Sequence, residues 1–302
     1  MKADSTLFNR LKRSSHPYAM TTCILWSLAY VLTRICTREL TPFQTGFLRS
    51  FTAAAVMLLI IIIKKIPFPK GRDLFYFLLS GLFGFTLYML FFNKGCSMVT
   101  TATGNVVLAA TPIVTAVGAR AALREKLSWL QWISIVTAFA GVVILAAVGG
   151  AFSVNRGILW LLMAVLVLSI YNLLQRFLGR ARDSLSITAY SILFGTILLS
   201  TLAPSSFRSV LTAPPRIWTC LLILGTCCSA LAYFCWSKAF SVAKRASSVS
   251  NYQLLTPFIS SIFGYLFIGD KVEAAAVWGG GVIMAGLLLY NFAPAILNRK
   301  AF

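Results

Sequence analysis

The sequence predicts an all-α polytopic membrane protein, with ten transmembrane helices arranged as two inverted five-helix repeats. Three observations predict it. Hydrophobic residues make up 59% of the 302 positions and charged residues only 11%, where a soluble domain carries about 25% charged residues. Apolar stretches near the roughly 20 residues that cross a bilayer as helix recur along the chain, with none of the roughly ten-residue alternating segments of a membrane barrel. The same marks also occur twice at a constant offset of 145, as Thr111-Pro112, Lys126 and Gly141, then Thr256-Pro257, Lys271 and Gly286.

The predicted spans of the first half, residues 1–149, run Pro17 to Thr33, Phe43 to Ile63, Leu74 to Phe92, Thr100 to Ala121 and Trp129 to Val148. Those of the second half, residues 150–302, run Gly157 to Gln175, Ile187 to Ala203, Ile217 to Ser237, Ala246 to Ile268 and Ala274 to Ile296. The first follows a basic arm, as a secretory signal would, but it extends to Arg34 without a small-residue cleavage site and reads as a retained helix. Trp26 stands near its middle, away from the interfacial belts that suit Trp129, Trp160, Trp218 and Trp278. The second span holds Arg49, a basic residue about two turns from the external end. It reads either as a snorkelling partner for lipid phosphate or as a charge for a substrate carboxylate or gate.

The fourth and ninth spans each contain a proline within an apolar run. Pro112 and Pro257 free the carbonyls of Leu108 and Gln253 one turn earlier, which makes both prolines candidate hinges. Small and polar residues line up with them, Thr101, Asn105 and Ala116 on one span and Ala246, Ser250, Ser261 and Gly264 on the other. Such stripes suit close helix packing as well as cavity lining. In the fifth and tenth spans Gly141 and Gly286 hold matched positions that suit a homodimer through peripheral helices.

The net charge of +20 sorts by loop. Nineteen Lys and Arg fall on the N-terminal arm, the C-terminal end and the alternate loops, against seven on the opposite set, so the richer side and both termini are predicted to be cytoplasmic. With five spans per half, the second copy enters from the opposite side; Glu125 then lies in a cytoplasmic turn and Asp270 in an external one. The basic charge is thus a topology signal and no nucleic-acid partner is expected.

Catalysis is poorly supplied. The single histidine, His16, sits at the mouth of the first span, and all seven acids fall in or beside loops. No zinc, paired-carboxylate or Ser/His/Asp site can be assembled inside the membrane, no cofactor is expected, and coupling through a buried carboxylate is disfavoured. The seven cysteines show no metal-ligand spacing and read as small apolar residues.

Leu25-Trp26-Ser27, Arg34, Pro42, Arg49, Asn93-Lys94-Gly95, Thr101-Ala102-Thr103, Pro112, Glu125-Lys126 and Gly141, followed by Ser237-Lys238-Ala239, Ala246-Ser247-Ser248, Pro257, Gly269-Asp270-Lys271 and Gly286, resemble the drug/metabolite transporter superfamily. The likeness is to its ten-helix metabolite and amino-acid exporter branch (EamA-like) and covers nearly the whole chain. The sequence departs from that pattern with Arg124 where Gly is usual and Asp270 where Glu is usual. The resemblance implies a basket of two inverted repeats with a cavity lined by the first, third, fourth, sixth, eighth and ninth spans, while the lack of an Arg- and Ser-rich, acid-poor transit segment favours a plasma membrane, that is a bacterial inner membrane, over an organelle.

The resulting expectation is a secondary transporter, not an enzyme, that moves a small organic metabolite by alternating access, with an amino acid as leading cargo and export as direction. Drugs or choline-like cations are the alternative cargo; a channel or membrane-embedded receptor is the alternative class. Trp26, Tyr88, Asn105, Tyr171, Tyr233 and Asn251 are the expected cavity residues, with Pro112 and Pro257 as hinges and Arg49 as charge partner or gate.

Overall fold

A computed structural model describes residues 14–99, 101–123, 127–148, 156–243, 249–269 and 274–299. Among these residues the chain consists of helices and turns, with no strand. The first half contains α1 (Ser15–Cys36), α2 (Pro42–Lys64), α3 (Arg72–Cys96), α4 (Thr101–Leu108), α5 (Thr111–Leu123) and α6 (Trp129–Val148). The second contains α7 (Arg156–Leu178), α8 (Ser184–Leu198), α9 (Ala203–Leu211), α10 (Pro215–Val242), α11 (Thr256–Ile268) and α12 (Ala274–Arg299). Helix therefore occupies most of every predicted span. Of these, α1, α2, α3, α7 and α10 are each long and apolar enough to cross a membrane, and Ser184–Leu198 with Ser200–Leu211, bent by 51°, makes a sixth if it counts as one span.

The helix ends are written locally. Thr41 and Gln44 form a reciprocal capping box ahead of α2, with Pro42 at its start, and Ser128 and Gln131 do the same for α6. The Asp183 carboxylate accepts the N–H groups of Leu185 and Ser186 at 3.0 and 3.3 Å, capping α8. Gly269, at φ 66°, closes α11 by returning its N–H to Gly264 and Tyr265. Between these ends the outward faces are apolar: Ile62, Ile63, Val136, Tyr265, Leu266 and Trp278 are each at least 65% exposed, a girdle that suits lipid rather than water.

Two spans expected to be continuous are broken. The fourth splits at Ala109 and Ala110 into α4 and α5, and in the ninth a 3₁₀ turn, Asn251–Leu255, precedes α11. Both breaks fall just before the prolines, which lack an N–H and are tolerated only in a first helical turn. The third and eighth spans carry a different irregularity, a π turn at Leu82–Leu87 in α3 and at Thr226–Leu231 in α10. These stand 144 residues apart, so the irregularities are repeated along with the helices.

Packing follows the same exchange of halves. The α1 helix packs on α10 and α11 as α7 packs on α3 and on α4 with α5; α2 packs on α10 as α8 packs on α3. Three pairings map onto themselves: α2 with α8, the fourth span with the ninth, where α4 meets α11 and α5 meets the 3₁₀ turn, and α6 with α12. In the last, a Cβ on Gly141 would lie 2.8 Å from the Gly279 carbonyl and 2.7 Å from Ile283 N, and one on Gly286 would lie 2.8 Å from the Ser134 carbonyl and from Ala138 N. Backbones this close require glycine at both places. The two glycines expected to serve a homodimer are used instead inside the chain.

Candidate functional site

A cavity lies where the two halves cross. From α1 it takes Trp26, Ala29 and Tyr30, from α2 Arg49, and from α3 Tyr88 and Phe92; Leu108 and Ala109 at the end of α4 complete the first half's share. Leu168 of α7, Gln253 of the 3₁₀ turn and Thr256 of α11 come from the second. Trp26 with Tyr30, and Tyr88 with Phe92, are each spaced i, i+4, which sets both members on one helix face. Tyr30 meets Phe92 edge-on at 5.1 Å, and Tyr88 stacks on Phe92 at 5.3 Å.

Arg49 brings the cavity its charge. The side chain is 2% exposed, its Nε donates to Ser229 Oγ at 2.7 Å and its Nη2 donates to the Cys228 carbonyl at 3.2 Å. Both acceptors belong to the π turn of α10. Among the described residues no carboxylate pairs with it. Glu39 is bound to Arg216 at 2.8 Å, Asp73 to Arg182 at 2.8 Å, and Asp183 caps α8. A guanidinium buried among neutral acceptors remains an uncompensated positive charge.

Three further polar atoms that belong to cavity residues are buried without a hydrogen-bond partner: Trp26 Nε1, Gln253 Oε1 and Thr256 Oγ1. Unsatisfied groups in a native interior are few and call for an explanation. The freed carbonyls predicted at the prolines are, by contrast, met. Leu108 O accepts the Thr111 hydroxyl at 2.6 Å, and Gln253 O accepts the Thr256 N–H. Each proline break is also tied to the other half. Ser27 Oγ shares its hydrogen between the Cys23 and Thr256 carbonyls at 2.7 and 3.4 Å, and Ser169 Oγ between those of Val165 and Thr111 at 2.8 and 3.3 Å.

Of the residues singled out from sequence, Trp26, Tyr88 and Arg49 line the cavity. Tyr171 and Tyr233 do not. They form a packed aromatic layer beside it, in which Tyr233 meets Trp26 at 5.2 Å, Tyr171 at 5.7 Å and Phe85 at 4.5 Å. The side chains of Asn105, Asn251 and Pro257 lie outside the described residues, as do Glu125 and Asp270 altogether. Pro112 is buried directly beyond the break between α4 and α5. Arg49 was expected to be within snorkelling reach of the surface; it turns inward because Ser229 and the Cys228 carbonyl are there to receive it. The resemblance omitted the second span from the lining, whereas α2 supplies the charge, and α10 contributes by backing Arg49.

Sequence reasoning missed Tyr30, Phe92 and Thr256 as lining residues and did not carry Gln253 forward. Tyr30 was legible as one turn beyond Trp26, and Gln253 and Thr256 as neighbours of Pro257. Phe92 carries no signal of its own beyond its i, i+4 spacing from Tyr88.

The space enclosed is small. About 20 Å³ is open to the centre of a water molecule, where a single water needs roughly 10–15 Å³. The space as it stands holds about one water, and an organic molecule fits only after the groups around it move apart.

The family profile described as "EamA-like transporter family" matches residues 13–147 and again residues 155–292. Among similar proteins, a probable terminal-alkyne amino-acid exporter of Streptantibioticus cattleyicolor is 26% identical over 77% of this chain and 78% of its own length. An S-adenosylmethionine uptake transporter of Rickettsia prowazekii is 25% identical over 87% of each, and an uncharacterized transporter of Archaeoglobus fulgidus is 25% identical over 89% of this chain and 95% of its own. A solved crystal structure superimposes with a TM-score of 0.67 at 18% identity, over 93% of this chain and 99% of that one, which shows a shared fold. Two successive matches of one profile, helices fit to cross a bilayer and relatives that are transporters lead to one assignment: the chain belongs to the EamA-like transporter family and is a membrane transporter built from two repeats.

Proposed function

We propose that the protein is a secondary transporter that moves an amino acid or a closely related small metabolite across the plasma membrane of a bacterium by alternating access, in the direction of export. Its ten spans form two inverted five-helix repeats, residues 1–149 and 150–302, with both termini in the cytoplasm. The observation that carries the reading is the central cavity, lined from both halves at their crossing and too small for cargo as it stands. A site between repeats that open alternately to the two sides is the arrangement of many secondary transporters.

The exchange of contacts between the halves, in which α1 with α10 mirrors α7 with α3, supports the two-repeat arrangement, and five spans in the first half make the second enter from the opposite side. The loop bias of Lys and Arg supports the orientation. The compounds named for two relatives, a terminal-alkyne amino acid and S-adenosylmethionine, both carry an amino-acid moiety and support that cargo class. One of those relatives is named an exporter and the other an uptake transporter, so export rests on the sequence resemblance alone. Any homodimer uses surfaces other than the Gly141 and Gly286 faces, which are taken up between α6 and α12.

Counterflow in proteoliposomes tests the reading. Vesicles loaded with unlabelled leucine, methionine or phenylalanine are expected to accumulate the labelled form transiently, with saturation. Flux that neither saturates nor shows counterflow indicates a channel, and binding without flux a receptor; either result removes the transporter mechanism proposed.

A further inference from the structure

We propose that Arg49 is the receptor for a carboxylate on the transported molecule, with the Trp26 indole N–H as a second donor and Gln253 Oε1 as acceptor for an ammonium group. The cavity then takes zwitterionic amino acids and rejects cations that lack an acidic group. This rests on the reading of the central cavity as the cargo site and goes further by naming the residue that chooses the cargo.

The charge is the first ground. A guanidinium withdrawn from water is costly unless paired and hydrogen-bonded. Arg49 has five N–H donors, and two are used, one on Ser229 and one on Cys228. Three N–H groups remain at a side chain that lines the cavity. A purely structural pin between α2 and α10 would need neither the positive charge nor those spare donors. A bidentate carboxylate would supply what is missing, since two parallel N–H···O bonds match the planar guanidinium fork.

The second ground is the set of unpaired atoms around the same space. An indole N–H only donates, so the buried Trp26 Nε1 awaits an acceptor, and a carboxylate oxygen is one. Gln253 Oε1 only accepts and is likewise buried and unpaired. The Thr256 hydroxyl does either. Donors beside Arg49 and an acceptor contributed by the opposite half form a dipolar receptor. Tyr30, Tyr88 and Trp26 also line this space, and aromatic rings attract an ammonium. A cation without a carboxylate would bring a second positive charge beside Arg49 with nothing to offset it.

The test is thermal unfolding of the purified full-length protein with L-leucine, L-methionine and L-phenylalanine, their methyl esters, sodium benzoate, inorganic phosphate and choline. The free acids are expected to raise Tm while the esters and choline leave it unchanged. The shift is expected to vanish in Arg49→Gln, to fall but persist in Arg49→Lys, and to need roughly tenfold more ligand in Trp26→Phe. Equal shifts from acids and esters, a shift from choline, no shift from any acid, or acid shifts retained in Arg49→Gln overturn the proposal. A shift with phosphate but no carboxylate assigns the site to phosphorylated cargo and overturns it as well. If Arg49→Gln does not accumulate, the acid-against-ester comparison on the wild type and the Arg49→Lys result decide. Labelled exchange that survives in Arg49→Gln removes the receptor and leaves the transporter. Carboxylate-dependent stabilisation without exchange in the wild type removes the transporter and leaves the receptor.

Discussion

The two π turns stand at corresponding places in the two halves, yet they do opposite work. In α3 the turn Leu82–Leu87 carries Gly84, on which a Cβ would lie 2.2 Å from the Tyr171 ring, and Thr86, whose hydroxyl donates to the Gly195 carbonyl at 3.1 Å. In α10 the turn Thr226–Leu231 carries Cys228 and Ser229, which hold a buried guanidinium. One turn is filled with an aromatic ring and the other secures a charge. π turns inside helices are frequent at functional sites, and here duplication preserved the backbone irregularity while the side chains divided the roles. The proposed carboxylate receptor thus stands where the repeat fails to match itself.

The strongest way to break that contrast is Arg49→Gln. Exchange of labelled amino acid in proteoliposomes is expected to fall at least about tenfold, the loss of one charge-assisted contact, while Tm stays near the wild-type value, because neutralising a buried charge relieves its desolvation cost. Gly84→Ala is the complementary case: overpacking against Tyr171 is expected to cost about 1–3 kcal/mol, read as a lower Tm in detergent, with partial recovery in the double variant Gly84→Ala with Tyr171→Leu. A Tm that falls in Arg49→Gln and not in Gly84→Ala would invert the division of labour. Ser229→Ala is expected to cost about 1.5 kcal/mol of stability through the bond it removes from Arg49, and to weaken amino-acid binding measured by the same thermal titration. The smallest contrast lies at the two proline breaks. Thr111→Val is expected to cost about 1 kcal/mol by orphaning the Leu108 carbonyl, whereas Thr256→Val, which gives up at most a weak contact with the Cys23 thiol, is expected to change stability by less than about 0.5 kcal/mol and to show itself in ligand titration. Equal losses at the two threonines would mean that the two proline breaks are equivalent after all.

Much of the architecture was legible in the sequence. The spans follow from hydropathy, and the repeat from Thr111-Pro112 and Thr256-Pro257, whose chemistry also fixes where the fourth and ninth spans break. The π turns were not legible, since neither Leu82–Leu87 nor Thr226–Leu231 contains a proline or any other marker that dictates one. The site was legible in part. Trp26 and Tyr88 stood out as polar aromatics in mid-span, but Arg49 was read from its depth alone, and its partners Cys228 and Ser229 lie 179 and 180 residues away in the chain. Tyr171 and Tyr233 carry the same sequence signal as Tyr88 and pack in the neighbouring layer. Direction around a helix depends on neighbours that one sequence does not reveal.

The clasp between α6 and α12 has a consequence for motion. A repeat protein that swaps the shapes of its two halves changes every contact that joins unlike partners, but a contact that joins an element to its own counterpart maps onto itself and survives the swap. Gly141 against Gly279 and Gly286 against Ser134 form such a contact, and they sit at backbone distances that leave no slack. Under the alternating access proposed above, this outer pair is suited to serve as the axle of the molecule, held still while the bundle it anchors rocks.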